Sequence, residues 1–399
     1  MESEKLINIM NYALYIINYF VPLWHKIVFF MIRLSKSVVG KAESEAVAHI
    51  IEDIGYLGMG ATVGEFEHQL EQYIGGGRRA ICVNSGTAAL HLAIQAVTKP
   101  GDEVLVPSFT FVATYQAIKA AGCKPVSCDI RPDTLTLDLE DAERRITSRT
   151  TAMMPVYYAS NCCMVQEYQA FAAKHGLRLV EDAAHSFGCS YQGQKIGSTG
   201  DIVCFSFDGI KNITTGEGGA IFTADEEVIQ KVSDARLLGV QKDSEKRYSG
   251  QRSWLFDVVE QGYRYHMSNI FAAIGQVQLS RFEKEFAPRR RYIAQRYCEL
   301  LKDTPYVKLT KMDYEHDIVP HIFALQILEG KRQQLEQKLK ENDIQFGIQY
   351  APNHHLTLFH EDVELPVTDE VYAHIISIPM HPELSEEDIQ LICKLINSL

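Results

Sequence analysis

Lys211 lies in the run Cys204-Phe-Ser-Phe-Asp-Gly-Ile-Lys-Asn-Ile-Thr-Thr-Gly-Glu-Gly-Gly-Ala220. The apolar residues before it, Ile202, Val203, Phe205 and Phe207, read as a buried strand, and Gly216–Gly219 as a tight turn into a second strand, Ala220–Thr223. A lysine held between two buried strands is costly to keep as a cation. Desolvation lowers its pKa and frees the amine as a nucleophile, the property needed to form a Schiff base with a carbonyl. A lysine in a loop is more often simply solvated, so the reading depends on what else converges on it.

Three further segments converge. Asn84-Ser-Gly-Thr-Ala-Ala-Leu90 reads as a strand end, a glycine turn and a helix start. There Gly86 and Thr87 bring backbone N–H groups and a hydroxyl to a helix N-terminus, an anion site, although an ordinary N-cap has the same form. In Val180-Glu-Asp-Ala-Ala-His-Ser186, Asp182 falls at the carboxyl end of a strand, where open α/β sheets bind ligands, and His185 follows three residues on. A carboxylate there holds a cationic ring nitrogen or, in the plainer reading, caps a helix. Phe109-Thr-Phe-Val112 ends another strand with aromatics that cover a planar ring or merely pack the core. Ser206 adds a hydroxyl beside Lys211. Together these parts describe a pyridoxal phosphate site: Lys211 for the imine, Asp182 for the ring nitrogen, Gly86, Thr87 and Ser206 for the phosphate, and an aromatic over the ring.

Such a site needs a sheet whose strand ends line up. Strand-like runs at Ala80–Val83, Glu103–Val106, Pro125–Asp129, Ala152–Tyr157 and Leu177–Glu181 alternate with helix-like runs at Thr87–Val97, Phe111–Ala121 and Val165–His175. The alternation predicts an α/β fold with a mostly parallel central sheet, helices on both faces and right-handed crossovers. The sheet is expected to end with the two strands flanking Lys211. Upstream, helical spacing runs from Glu43 to Ile54 and from Val63 to Ile74. Beyond residue 285 the pattern changes to a helix at Arg289–Leu301, a strand at His321–Leu328, a helix at Lys331–Asn342, a strand at Gln345–Gln349 and a last helix opened by Ser385 with Asp388 three on, a capping box. This divides the chain into residues 31–285, a large cofactor-binding domain, and residues 286–399, a smaller α+β domain.

The 399 residues are 46% apolar and 23% charged, ordinary for a globular protein, and the net charge of −12 argues against a nucleic-acid surface. Nine scattered cysteines without metal-ligand spacing read as reduced thiols of a cytoplasmic protein. Residues 6–25 carry no formal charge and are long enough to span a bilayer, but three asparagines and Pro22 interrupt them. A membrane anchor or a docked helix are the alternatives; the favoured reading has the functional chain open at Met31.

From about Met31 onward the chain resembles the DegT–DnrJ–StrS sugar aminotransferases, fold-type I enzymes that use pyridoxal phosphate. The most specific motifs are Ser85-Gly-Thr-Ala-Ala-Leu-His-Leu92, Glu181-Asp-Ala-Ala-His185, Ser206 to Gly219, and Gly262-Tyr-Arg-Tyr-His-Met-Ser-Asn269. The resemblance implies Lys211 as the Schiff-base lysine, Asp182 as the pyridinium partner, Phe111 stacked on the ring and His185 close to it. It implies Gly86, Thr87 and Ser206 on the phosphate, His266 reaching the phosphate of a second subunit in a homodimer, and His354 lining the sugar pocket. It also implies that the helix from about Glu43 joins the small domain. The activity implied is transfer of an amino group, with L-glutamate as donor and 2-oxoglutarate as its product, to a nucleotide-linked keto-sugar for a surface polysaccharide such as O-antigen or another glycan. The form Lys-Asn-Ile-Thr-x-x-Glu-Gly-Gly resembles members that aminate C4 of a 4-keto-6-deoxy sugar. A C3 aminotransferase and a non-catalytic sensor on the same scaffold are the alternatives; the dehydratase branch carries histidine where this chain has Lys211. One departure stands out: relatives carry a His-Tyr-Gly-Gly-like stretch where this chain has Tyr157-Tyr158-Ala159-Ser160.

Overall fold

The computed structural model describes residues 31–241, 248–251, 256–312 and 318–399. The expectations for residues 6–25 lie outside these. Among the described residues, no helix is long and apolar enough to cross a membrane.

Seven strands form the main sheet: β1 (Arg79–Val83), β2 (Glu103–Pro107), β3 (Lys124–Cys128), β4 (Thr150–Met153), β5 (Arg178–Asp182), β8 (Ile202–Ser206) and β9 (Gly219–Thr223). A two-stranded hairpin, β6 (Ser190–Tyr191) with β7 (Gln194–Lys195), interrupts the run. The order across the main sheet is β1-β9-β8-β5-β4-β2-β3. Pairing is parallel from β8 through to β3, and β9 runs antiparallel to both of its neighbours. The strands flanking Lys211 therefore do not end the sheet. The first strand, β1, returns to cover the outer side of β9, a pairing across the chain that local pattern does not signal.

Because side chains alternate along a strand, each interior strand feeds two cores. Val203 and Phe205 of β8 enter one with Phe66 and Leu70 of helix Ala61–Ile74 and Tyr168 of helix Val165–His175. Ile202 and Cys204 enter the other with Leu90 and Ile94 of helix Gly86–Val97 and Tyr115 and Ile118 of helix Val112–Ala120. That is why these strands read as continuous apolar runs. All nine cysteines are free, and Cys163 is exposed.

A second, antiparallel sheet holds β10 (Val307–Leu309), β11 (Phe323–Ile327) and β12 (Ile375–Ile378). The expected strand at Gln345–Gln349 is absent. That stretch makes only isolated bridges, Ile344 to Ile32 and Gly347 to Ser377, so its backbone is used to tie the N-terminal segment to the second sheet. Helix Lys41–His49 packs on helix Asn269–Arg281, where Gln278 and Arg281 both bond Glu43. The link to the C-terminal part is made instead by the extended segment before it: Ile32 bonds to Asp343 and Gln345, and Leu34 to Met380. The boundary expected at 285/286 falls inside an unbroken helical run from Asn269 to Leu301, in a π-turn over Phe282–Phe286.

Candidate active site

The carboxyl ends of β5 and β8 and the N-terminus of helix Gly86–Val97 open on one cavity of about 270 Å³. Seven of the nine residues singled out in the sequence line it: Gly86, Thr87, Phe111, Asp182, His185, Ser206 and Lys211. A larger hollow of about 790 Å³, bordered by His49, Tyr56 and Asn269, lacks any such set of groups.

The Lys211 amine is enclosed by the cavity wall, and burial lowers its pKa to about 8; the carboxylates of Asp182 and Asp208 offset part of that fall. Its Nζ lies 3.4 Å from Nε2 of His321, a buried histidine. Asp182 Oδ2 accepts from the Thr114 hydroxyl at 2.9 Å, and its Oδ1 accepts from the Ala184 N–H at 3.2 Å. Burial raises the Asp182 pKa, and these two donors with the Lys211 charge oppose the rise.

His185 and His321 are held neutral. Burial pushes both far below the usual histidine range, and the Lys211 charge pushes in the same direction. Nδ1 of His185 accepts from the Ala159 N–H at 3.2 Å, so the ring proton sits on Nε2 and is donated to the Tyr350 hydroxyl, also at 3.2 Å. The departing loop explains this support. Ala159 and Ser160 take φ of 52° and 75°, the left-handed conformation that glycines adopt freely. The Ser160 hydroxyl donates to the His185 carbonyl and accepts from the His321 N–H. The backbone path suited to the two glycines is thus kept, and the serine side chain ties both histidines together.

The residues fit pyridoxal phosphate. Ser85 caps helix Gly86–Val97, accepting from Ala88 N at 3.1 Å, which leaves the first N–H groups facing the cavity beside exposed Thr87. A Cβ at Gly86 would stand 2.7 Å from Ser206 Cβ and 2.9 Å from its Oγ, so the cradle closes only around glycine. Amine, carboxylate, hydroxyls and helix terminus are the donor set that this cofactor needs. Phe111, an exposed aromatic at the cavity edge, lies 5.4 Å from the Tyr350 ring, centroid to centroid.

Two expected residues lie elsewhere. His266 pairs through its backbone with Val83 at the end of β1 and does not line the cavity. His354 is only 3% exposed and bonds Ser108 Oγ through Nδ1 at 2.7 Å, outside the lining of the cavity. Gln349 and Tyr350, a few residues earlier in the same segment, line the cavity instead. Thr114, His321 and Tyr350 were missed in the sequence. Thr114 had a local signal, one helical turn after Phe111. Tyr350 stands four residues before His354, the residue of this segment that the resemblance singled out. His321 had no signal beyond its apolar surroundings.

A fold of this order with a lysine and a carboxylate at adjacent strand ends defines a pyridoxal phosphate-dependent transferase of fold-type I. The chain belongs to the DegT/DnrJ/EryC1/StrS aminotransferase family, whose pattern matches residues 38–397. It is 33% identical over 376 residues to a spore coat polysaccharide biosynthesis protein of Bacillus subtilis, covering 92% of this chain and 96% of that one. It is 32% identical over 367 residues to the dTDP-4-dehydro-2,3,6-trideoxy-D-glucose 4-aminotransferase of Saccharopolyspora spinosa, covering 91% and 95%. A Streptococcus pneumoniae chain solved in a pyridoxal phosphate form superposes with a TM-score of 0.82 at 27% identity, covering 92% and 98%. The protein is a pyridoxal phosphate-dependent sugar aminotransferase of polysaccharide or sugar biosynthesis.

Proposed function

We propose that the chain moves an amino group from L-glutamate to C4 of a nucleotide-linked 4-keto-6-deoxy sugar, yielding 2-oxoglutarate and an amino-sugar nucleotide for a surface glycan. The observation that carries the chemistry is the enclosed Lys211 amine in one cavity with Asp182 and the helix N-terminus. The choice of C4 is supported by the Lys211-Asn-Ile-Thr run with its Glu217-Gly-Gly end and by the 4-aminotransferase among the relatives.

When bound, pyridoxal phosphate supplies a ring that withdraws electrons from the carbon losing its proton. Asp182, steadied by Thr114 and Ala184, would hold the ring nitrogen. Gly86, Thr87 and Ser206 would hold the phosphate. Lys211, with a pKa of about 8, keeps a neutral fraction near pH 7 and would take the proton from the donor Cα as general base and hand it on as general acid. His321 and His185, both neutral, add no second cation beside that amine. Phe111 and Tyr350 supply an aromatic wall of the cavity against which a planar ring would lie.

A homodimer with shared sites belongs to the same reading. His266 is not among the residues lining its own cavity, and exposed Leu238, Phe256, Val258 and Val259 offer a surface for a second copy. The test is the absorbance spectrum of the purified protein. A visible band that L-glutamate converts to a near-ultraviolet one, restored by a 4-keto-6-deoxy sugar nucleotide, is expected. Restoration by 3-keto sugars alone would move the reaction to C3, and the absence of any cofactor band would end the proposal.

A further inference from the structure

Three side chains outside the cavity converge behind the turn from β2 to helix Val112–Ala120, which carries Phe111. His354 and His355 sit in the short turn Asn353–His355, and Asp369 lies in the first turn of helix Pro366–His374. One oxygen, Asp369 Oδ1, stands 3.1 Å from Nε2 of His355 and 3.6 Å from Nε2 of His354. One donor atom from each of the three lies within 4.8 Å of the others.

An ion pair alone leaves these contacts unexplained. Asp369 Oδ1 is enclosed yet takes no hydrogen bond, although both imidazole Nε2 atoms are near it. The side chain as a whole is 46% exposed, yet Oδ1 is covered, and a ligand shared with the two imidazoles is the partner it lacks. The spacing points to that partner. Donors ~2.1 Å from a tetrahedral zinc ion stand ~3.4 Å apart; the two separations from Asp369 Oδ1, 3.1 and 3.6 Å, bracket that value, and all three atoms lie within 4.8 Å of one another.

The ligands are also fixed in advance. His354 Nδ1 is bonded to Ser108 Oγ at 2.7 Å, which turns its Nε2 toward Asp369, the outer-shell arrangement usual for a metal-bound histidine. The Asn353 side chain donates to the carbonyls of Ser108 at 3.0 Å and Thr110 at 2.7 Å, seating the turn on the end of β2. Asp129 at the end of β3 accepts from Val367 N at 3.0 Å and from Thr368 N and Oγ1 at 2.7 Å, seating the helix that carries Asp369. Both halves of the cluster are held by the main sheet rather than by each other.

We propose that His354, His355 and Asp369 form a binding site for a divalent cation of the zinc class, with two imidazole Nε2 atoms and one carboxylate oxygen as protein ligands and a water completing the shell. None of the three lines the cofactor cavity, so the ion clips the segment from Asn353 to Asp369 onto the strand ends next to Phe111 and Tyr350 and does not take part in amino transfer.

The test uses the full chain with its cofactor bound, free of any affinity tag, stripped with a chelator and titrated with Zn²⁺ against a chromophoric zinc indicator, then with Co²⁺. One tight equivalent per chain and the visible absorption of tetrahedral cobalt are expected. Both are lost in His355→Ala and in Asp369→Asn, whose side chains are about half exposed and whose far-ultraviolet circular dichroism serves as the folding control. No stoichiometric binding overturns the proposal. So does an equivalent that survives in both folded variants, which would put the metal on another group such as exposed Cys163.

Discussion

Replacing Thr114 with valine tests whether Asp182 depends on its neighbour to hold the cofactor. The Thr114 hydroxyl is fully buried and donates to Asp182 Oδ2 at 2.9 Å, while its other contact is to Thr110 Oγ1, also at 2.9 Å. Valine keeps the shape and removes the donor, so burial acts on Asp182 with one opposing hydrogen bond fewer and its carboxyl pKa climbs further. A hydrogen bond to a charged group is worth about 1.5–3 kcal/mol. Pyridoxal phosphate should then bind ~10–150-fold more weakly, at about 1.4 kcal/mol for each tenfold. Titration of the apoprotein followed by the visible cofactor band gives the dissociation constant. Thr114→Ser keeps the hydroxyl and should stay close to the unaltered protein. Valine and serine variants that are folded and bind the cofactor equally well would refute the role given to Thr114. Equal weakening in both would instead trace the loss to packing.

Three other outcomes follow from the same geometry. In the apoprotein, the rate at which Lys211 captures the aldehyde of pyridoxal phosphate should climb with pH up to about 8 and level off above it; a rise continuing toward the ordinary lysine value would show that the amine is not desolvated. Glu181 is buried, and burial lifts its pKa from 4.5 to about 7, so the folded chain keeps a proton that the unfolded chain releases, and stability falls as pH rises through that window. Glu181→Gln, which still accepts from the Tyr157 hydroxyl, should therefore gain up to about 3 kcal/mol over the unaltered protein at pH 8 and nothing at pH 4, read from denaturant midpoints. Gly86→Ala forces a methyl against Ser206 and should lower Tm by an amount equivalent to about 1–3 kcal/mol while weakening the cofactor; an unchanged affinity would mean that the cradle is not where the phosphate binds.

The legible part of the site was the part built from strand ends. Lys211, Asp182 and Gly86 each follow an apolar run that fixes where a strand stops, and the sheet then brings those stops to one edge. The cavity wall from the C-terminal part was less legible. His321 reaches Lys211 across 110 residues and Tyr350 reaches His185 across 165, and no periodicity encodes such distances. Around His354, residue type gives no placement: the ring is held by Ser108, and the tyrosine four positions earlier takes the wall. The stretch at Gln345–Gln349 had strand-like composition, but its neighbours on the second sheet leave it only single bridges.

The placement of β1 also bears on how the chain is made. Val83 pairs with Gly219, so the strand leading into Gly86 and Thr87 leaves the ribosome 136 residues before its partner. At about 5–20 residues per second, β1 waits roughly 7–27 s as an unpaired apolar segment. Throughout that time the phosphate cradle does not exist, because Ser206 and the strands that carry it are still to come. A growing chain therefore cannot be rescued by capturing its cofactor early. Protection of β1 during synthesis must come from the helices on either side of it or from a chaperone, and shortage of pyridoxal phosphate would first be felt by completed chains.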